Sequence, residues 1–220
     1  MSILAFGRAM ARGLPLLALI APVACAPAAL DDDGRIVRAT LRVLVRDRPA
    51  TAPALCIDNR TRGEPLAIFR TMRASGNEHE LRWRHPAALH AATPVTQRAL
   101  FEDAIGRNRL RIVEPQSTGA TLSAADQRKF DTAATALAIM GKSDSVALDT
   151  GMAVPGASPR WWLLNRIHTG CDRVHVLSKI VRDAQIGFVT VSADHWGTTY
   201  AVERNGADWR VTAQWNSWLY

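Results

Sequence analysis

The chain has 220 residues, of which 48% are hydrophobic and 21% are charged, and its formal net charge at pH 7 is +7. This length and hydrophobic content are enough for one domain with a real core, and the absence of repeats and long low-complexity stretches excludes solenoids and repeat arrays. A basic charge favours nucleic acid or an anionic surface as a partner, but Lys129, Lys142 and Lys179 are the only lysines and the arginines form no basic run, so nucleic-acid binding is not predicted.

The first segment of the chain has the pattern of an export signal. Arg8 and Arg12 form a positive region, and an apolar run over residues 14–24 precedes several small residues. The apolar run is interrupted by prolines and is far shorter than the roughly 20 apolar residues that span a bilayer. We therefore predict a signal peptide at 1–28, a mature protein that begins near Ala29, and a periplasmic or secreted location.

A second processing route stays open at Cys25. The residues before it, Val23 and Ala24, are small enough for cleavage and acylation of this cysteine, which would give an envelope or outer-leaflet lipoprotein. Pro22 stands where a bacterial lipobox prefers Leu, Val or Ile, so the soluble form is favoured. Contact with a membrane is expected only through the signal peptide or this lipid anchor.

The cysteine count predicts one disulfide. The chain has three cysteines, and once Cys25 is removed or acylated, Cys56 and Cys171 form an even pair. A bond between them in an oxidising compartment would close a long loop and stabilise the fold by about 4–5 kcal/mol in the chain-entropy model. A catalytic thiol or a cysteine metal site is disfavoured, because the chain has no CxxC motif.

The first half of the mature chain predicts short elements. Residues 35–48 fit both the helical period and strand alternation, and the preceding aspartates at 31–33 favour a helix because they can cap its first turn. A strand is predicted through Leu55 to Ile57, a turn at Arg62-Gly63, and a second strand through 66–72. Further along, we predict a helix at 96–105 and a strand at 109–113.

The clearest helix is predicted at Ser123 to Met140. Ser123 and Asp126 resemble a capping box, and the apolar residues from Phe130 onward follow helical spacing up to Gly141. Glycines and prolines in the next segment, residues 142–159, predict a loop or flap.

The C-terminal quarter predicts a four-stranded antiparallel meander. Its β-rich runs are 174–181, 186–193, 198–203 and 209–219, with a hairpin turn at Asn205-Gly206. Alternation in the last run predicts Trp209 and Trp215 on one core face, and the polar residues followed by Trp218 and Tyr220 on the other. The predicted fold class is α+β: a single domain, residues 29–220, with the meander packed on one or two helices.

This quarter resembles the terminal sheet of small exported bacterial proteins of uncharacterised function. The resemblance is carried by Leu177-Ser178, Phe188-Val189, Tyr200 to Glu203 and the stretch 205–211. The aromatic closing strand is also loosely similar to the terminal strands of NTF2-like α+β cones. The resemblance implies a fold and a compartment and carries no catalytic residue across.

The six histidines of the chain could support metal binding or catalysis. His79, His85 and His90 are spaced six and five residues apart, which fits no zinc motif, so no metal and no cofactor is predicted. His195 follows a strand end and could act with a serine such as Ser178 or Ser192. However, no G-x-S-x-G elbow is present, and the adjacent Asp194 would point to the opposite face.

Aromatic residues near the C-terminus favour a binding function. Trp196, Trp218 and Tyr220 lie at turns or on the polar strand face, where rings can stack on a small ligand or a partner protein. We therefore predict an exported bacterial envelope protein with a non-enzymatic binding or interaction domain, whose partner is an unknown envelope protein or small ligand. The alternative is an envelope hydrolase that uses His195 with a carboxylate from elsewhere in the fold.

Overall fold

A computed structural model describes residues 30–46, 48, 50–76, 82–87, 120–140, 145–160, 174–193 and 196–218. Within these ranges, no helix is both long and apolar enough to cross a membrane. The helices are α1 (Asp32–Val45), α2 (Ala67–Ala74) and α3 (Ala124–Met140). The strands are β1 (Leu55–Asp58), β2 (Ala157–Arg160), β3 (Val174–Leu177), β4 (Val181–Arg182), β5 (Ile186–Ala193), β6 (Trp196–Asn205) and β7 (Asp208–Trp218).

These strands form one mixed sheet of seven strands. Its order is β2-β1-β3-β5-β6-β7, with β4 beside β5. β1 is parallel to β2 and β3, and all other pairs are antiparallel. The predicted α+β class is confirmed, but the sheet is larger than a four-stranded meander: the first predicted run is divided into β3 and β4, and β2 lies in the segment predicted as a loop.

The helix interpretation of the ambiguous first element is confirmed. Asp31 is the N-cap of α1 and its Oδ1 accepts a hydrogen bond from the Gly34 N–H at 2.8 Å. The buried stripe of α1, which includes Ile36, Leu41 and Leu44, packs on one face of the sheet. Capping and a continuous apolar stripe at helical spacing therefore outweigh the alternation that a strand would need.

The other face of the sheet is covered by α2 and α3. The strand predicted at 66–72 is wrong: this segment is helical, because Phe69 and Met72, three residues apart, are buried together against α3. α3 begins as predicted, with the Asp126 N–H donating to Ser123 Oγ at 3.2 Å. Phe130, Ala134 and Leu137 form its buried stripe.

A β-bulge in β7 divides its residues between the two faces. Ala201 pairs with Ala213 but Val202 pairs with Val211, which leaves Thr212 as an extra residue in β7. Trp209 therefore lies in the core under α1, while Trp215 lies in the core under α2 and α3. The burial predicted for Trp215 is confirmed, but the prediction that the two tryptophans share one face is wrong.

The polar side predicted for β7 is covered at Gln214, whereas Arg210 on the same predicted side is exposed. Gln214 is only 4% exposed, and its backbone N–H and C=O pair with Arg84. The Gln214 Oε1 also accepts a hydrogen bond from the Ala87 N–H at 2.9 Å. Residues 82–87 thus cover this part of the sheet edge, which would otherwise expose unpaired backbone groups.

The β6–β7 turn is displaced by one residue from its predicted position. Asn205 pairs with Asp208, so the two connecting residues are Gly206 and Ala207. Gly206 has a φ of 62°, a conformation in which a side chain would be strained. Glycine therefore occupies the first position of the turn rather than the second.

Candidate functional site

Two of the three residues predicted for binding come together at one end of the sheet. Trp196, the first residue of β6, pairs with Trp218, the last residue of β7, and also with Ala193 at the end of β5. We call these three strand positions the aromatic end. Tyr220 and His195 lie outside the described residues, as do Asp194 and Cys25.

Tyr200 lies four residues along β6 from Trp196 and belongs to the core under α1. This side chain is 2% exposed, and burial raises the pKa of its phenol well above the usual range. The charge of Arg46 and a hydrogen bond with Thr198 act in the opposite direction but more weakly. The raised pKa favours the protonated phenol, and the Tyr200 side chain packs in the core under α1.

A hydroxyl network lies between Tyr200 and the aromatic end, where Thr190 of β5 pairs with Thr199 of β6. Thr190 Oγ1 and Thr199 Oγ1 are 2.7 Å apart across β5 and β6, and Thr190 also donates to the Pro65 carbonyl at 2.9 Å. These bonds satisfy side chains that the sheet buries, and they join the loop before α2 to β5. The network stabilises the fold and leaves no hydroxyl free to activate a substrate.

The serines considered as nucleophiles both bond to the backbone. Ser178 Oγ donates to the Lys179 carbonyl at 2.6 Å and accepts from the Thr190 N–H at 2.8 Å. Ser192 Oγ lies 3.5 Å from the Val176 carbonyl, across the β3–β5 pair. A serine that attacks an acyl group needs an adjacent base and an accessible position, and these hydroxyls are instead used in strand pairing.

Cys56 and His175 lie together in the parallel part of the sheet. Cys56 is 3% exposed, and its carbonyl oxygen lies 3.4 Å from Nδ1 of His175, which is 4% exposed. The register pairs Cys56 with Val174, three residues after Cys171, which lies outside the described residues. Within the part of the chain that the structure describes, no three His, Cys, Asp or Glu residues are grouped as a metal site would require.

An ion-pair network occupies the end of the sheet opposite the aromatic end. Asp32 in the first turn of α1 is paired with Arg204, and its Oδ1 accepts a hydrogen bond from Trp209 Nε1 at 3.1 Å. The hydrogen bond with Arg204, and then that with Trp209, lowers the pKa of Asp32. Arg182 adds a contact of 2.5 Å to Asp33. This network attaches α1 to the β6–β7 hairpin.

Trp83 is a central residue that the sequence did not identify. It is 1% exposed, its ring centroid lies 5.6 Å from those of both Phe130 and Phe188, and its Nε1–H donates to Asp131 at 2.9 Å. Gln127 exchanges two hydrogen bonds with the Trp83 backbone. No periodic pattern surrounds Trp83, so only its residue type could have indicated burial with a partner for its N–H.

A recess lies at the corner between α2, α3 and β4. Its volume is about 210 Å³ including open solvent, and Glu64, Arg70 and Leu137 contribute to its lining. Lys179 Nζ lies 3.3 Å from Glu64 Oε1 at the same corner. The enclosed space is only about 10 Å³, roughly enough for one water molecule, so the recess is too small for a small-molecule ligand.

Three kinds of comparison with known proteins gave no match. No protein-family model matches the chain, no curated protein matches it, and no solved structure matches it.

Proposed function

We propose that the chain is an exported bacterial envelope protein with a non-enzymatic binding or interaction domain, and that the partner contacts the aromatic end of the sheet. The observation that carries this proposal is the register that pairs Trp196 with Trp218. Tyr220 follows Trp218 by two residues in the sequence. Tryptophan and tyrosine supply much of the affinity at protein interfaces.

The surroundings of the aromatic end support binding more than catalysis. Tyr200, four residues along β6 from Trp196, is buried in the core, and Ser192 Oγ lies 3.5 Å from the Val176 carbonyl within the sheet. β5 and β6 are joined by only two residues. The aromatic end therefore lies beside a short loop between two hydrogen-bonded strands. Recognition residues are commonly placed in this way.

Site-specific photo-crosslinking in living cells tests this proposal. A photoreactive amino acid is placed at position 217, beside Trp218, and in a control at position 128, an exposed site on α3. We expect discrete covalent adducts from position 217 only. An identical adduct pattern from both positions, or none from position 217, would contradict a recognition surface at the aromatic end.

The hydrolase alternative makes a different prediction from the same region. If His195 acts as a base, labelling of the protein by a fluorophosphonate or a similar acyl-transfer probe should be lost in His195→Ala while thermal stability is kept. Labelling that depends on His195 would favour the hydrolase. The absence of labelling together with crosslinks from position 217 would favour the binding protein.

Export is proposed together with a disulfide between Cys56 and Cys171. The support from the fold is that Cys56 is buried in β1 opposite Val174, which follows Cys171 by three residues in the sequence. Intact mass after alkylation, with and without reductant, tests the bond. Two alkylated thiols without reductant, in protein isolated from an oxidising compartment, would exclude it.

Two forms of the mature N-terminus are proposed. The mature protein is expected to begin near Ala29, and an acylated Cys25 is the alternative. The intact mass decides between them, because a diacylglyceryl group on Cys25 adds a lipid that a soluble form lacks. The loose similarity of the closing strand to NTF2-like cones stays a prediction.

A further inference from the structure

The β6–β7 turn contains the pair Asn205-Gly206 in an open position. Asn205, Gly206 and the next residue, Ala207, are all exposed. Apart from the chain neighbours of Gly206, no described residue has a heavy atom within 4 Å of the position that a Cβ of Gly206 would take. Water therefore reaches the side-chain amide of Asn205 and the backbone nitrogen of Gly206, and few atoms restrict the approach of these two groups to each other.

Neither of these groups is held by a hydrogen bond. The turn pairs Asn205 with Asp208, and the bond that closes such a turn uses the carbonyl of the first residue and the N–H of the fourth. Gly206 is the second residue, so its N–H takes no part in that bond. Among the described residues, no hydrogen bond involves the Asn205 side-chain amide or the Gly206 N–H. Both groups are therefore free to react.

We propose that Asn205 is a site of spontaneous deamidation through a succinimide. The nitrogen of Gly206 loses its proton to hydroxide and attacks Cγ of Asn205, so that a C–N bond forms. The bond from Cγ to the amide nitrogen breaks, and this nitrogen takes up a proton and leaves as ammonia. Water then opens the ring at either carbonyl and gives aspartate or isoaspartate at position 205. Glycine favours the attack because it has no Cβ to obstruct it.

Asn59 carries the same amide but lacks these features. The next residue, Arg60, has a side chain, and its backbone N–H donates to Asp58 Oδ1 at 3.1 Å. The Asn59 Oδ1 is buried. The nitrogen that would attack is therefore engaged, and the amide is shielded from water. Asn59 should stay unmodified and serves as an internal control.

Isoaspartate at position 205 would alter the junction between the hairpin and α1. The backbone of isoaspartate continues through the side-chain carbonyl, which adds one carbon between Arg204 and Gly206. On either side of this point, Arg204 is paired with Asp32, and the Ala207 carbonyl accepts a hydrogen bond from Arg35. Aspartate would add the same charge but keep the ordinary backbone. We therefore expect isoaspartate to lower the thermal stability more than aspartate does.

Ageing of the purified protein tests the proposal. The full chain is incubated at neutral and at alkaline pH and then digested. Mass spectrometry of the peptides that contain positions 59 and 205 detects the change from amide to acid and distinguishes isoaspartate from aspartate. A synthetic peptide of residues 200–210 shows when the same sequence reacts without the fold. The matched variant is Asn205→Gln, which keeps the amide but would have to close a six-membered ring, a slower reaction.

We expect both isoaspartate and aspartate at position 205, faster formation at alkaline pH, and ammonia in an amount equal to the two products together. The protein should react more slowly than the peptide, because strand pairing restrains Asn205. Position 59 should be unchanged, and Asn205→Gln should show no conversion while it melts like the parent. Recombinant Asn205→Asp should melt within about 3 °C of the parent, and the acidic fraction of the aged protein should melt below it.

Four results would contradict the proposal. No conversion at position 205 when the peptide has fully reacted would show that the fold prevents the reaction. Aspartate without isoaspartate would indicate direct hydrolysis of the amide rather than a ring. Equal conversion at positions 59 and 205 would show that the open turn does not direct the reaction. An acidic fraction that melts like Asn205→Asp would exclude the effect of the altered backbone on the junction with α1.

Discussion

The two faces of the sheet are covered in different ways. On one face a single helix, α1, packs a mainly aliphatic core, and charged groups attach its first turn to the β6–β7 hairpin. On the other face two helices and residues 82–87 enclose a core rich in aromatic rings, namely Phe69, Trp83, Phe130, Phe188 and Trp215. The first face therefore depends on many small contributions, whereas the second depends on a few large side chains.

The aromatic core should be the more sensitive to a single truncation. Trp215 is 2% exposed, and we expect Trp215→Ala to lower the free energy of unfolding by about 3–5 kcal/mol, because it leaves a large cavity. Urea denaturation measures the change. Trp215→Phe, which keeps part of the ring volume, should cost less, and equal costs for the two variants would contradict tight packing around Trp215.

The aliphatic core is tested by Leu41→Ala in the middle of α1. Leu41 is fully buried, and its truncation should cost about 2–5 kcal/mol. Val43→Ala on the same helix is the control, since Val43 only packs against the edge of this core, and its cost should be clearly smaller. Similar costs at positions 41 and 43 would show that α1 is not oriented as described.

Trp83→Phe sharpens the comparison, because it separates the ring from its hydrogen bond. The substitution keeps most of the contact with Phe130 and Phe188 but removes the bond from Nε1–H to Asp131. We expect a loss of about 1–3 kcal/mol in the free energy of unfolding. If Asp131→Asn in the Trp83→Phe background causes as much further loss as it does in the parent, the two residues are not coupled.

The smallest effect is expected from the charges at the start of α1. The pKa of Asp32 is lower in the folded protein than in the unfolded chain because of Arg204 and Trp209, so its contribution is complete above the ordinary carboxylate pKa and is lost as the pH falls through the lowered value. The stability difference between the parent and Asp32→Asn should therefore be larger at about pH 6 than at about pH 3.

The control for this pH dependence is Asp208→Asn. Asp208 is an exposed carboxylate whose contact with Arg42 is 3.8 Å, so its substitution should have a small effect at both pH values. A difference for Asp32→Asn that stays constant between the two pH values would contradict the described pairing of Asp32.

Parts of the fold with a single strong local signal could be predicted from the sequence. The caps at Asp31 and Ser123 and the apolar spacing behind them locate α1 and α3, because both signals come from residues close together in the chain. α2 was missed because eight residues make only about two turns, so the spacing of Phe69 and Met72 is the one helical repeat that its buried residues offer.

The bulge at Thr212 shows why the faces of β7 could not be predicted. One extra residue exchanges the two faces of a strand, so Trp209 and Trp215 look equivalent in the sequence although they enter different cores. At the aromatic end, the residue types drew attention to Trp196 and Trp218, but their pairing depends on the same register. The use of arginines as donors to carbonyls, as at Arg38, leaves no sequence signal because backbone acceptors are present everywhere.

The central claim is that the sheet is covered on both faces and that recognition occurs at its aromatic end. Trp218→Ala tests this claim most directly, when it is made in the protein that carries the photoreactive residue at position 217. The account predicts a change in Tm below about 3 °C, corresponding to less than about 1 kcal/mol for a chain of this size, together with loss of the crosslinked adducts. A fall in Tm as large as that of Trp215→Ala, or unchanged adducts, would contradict it.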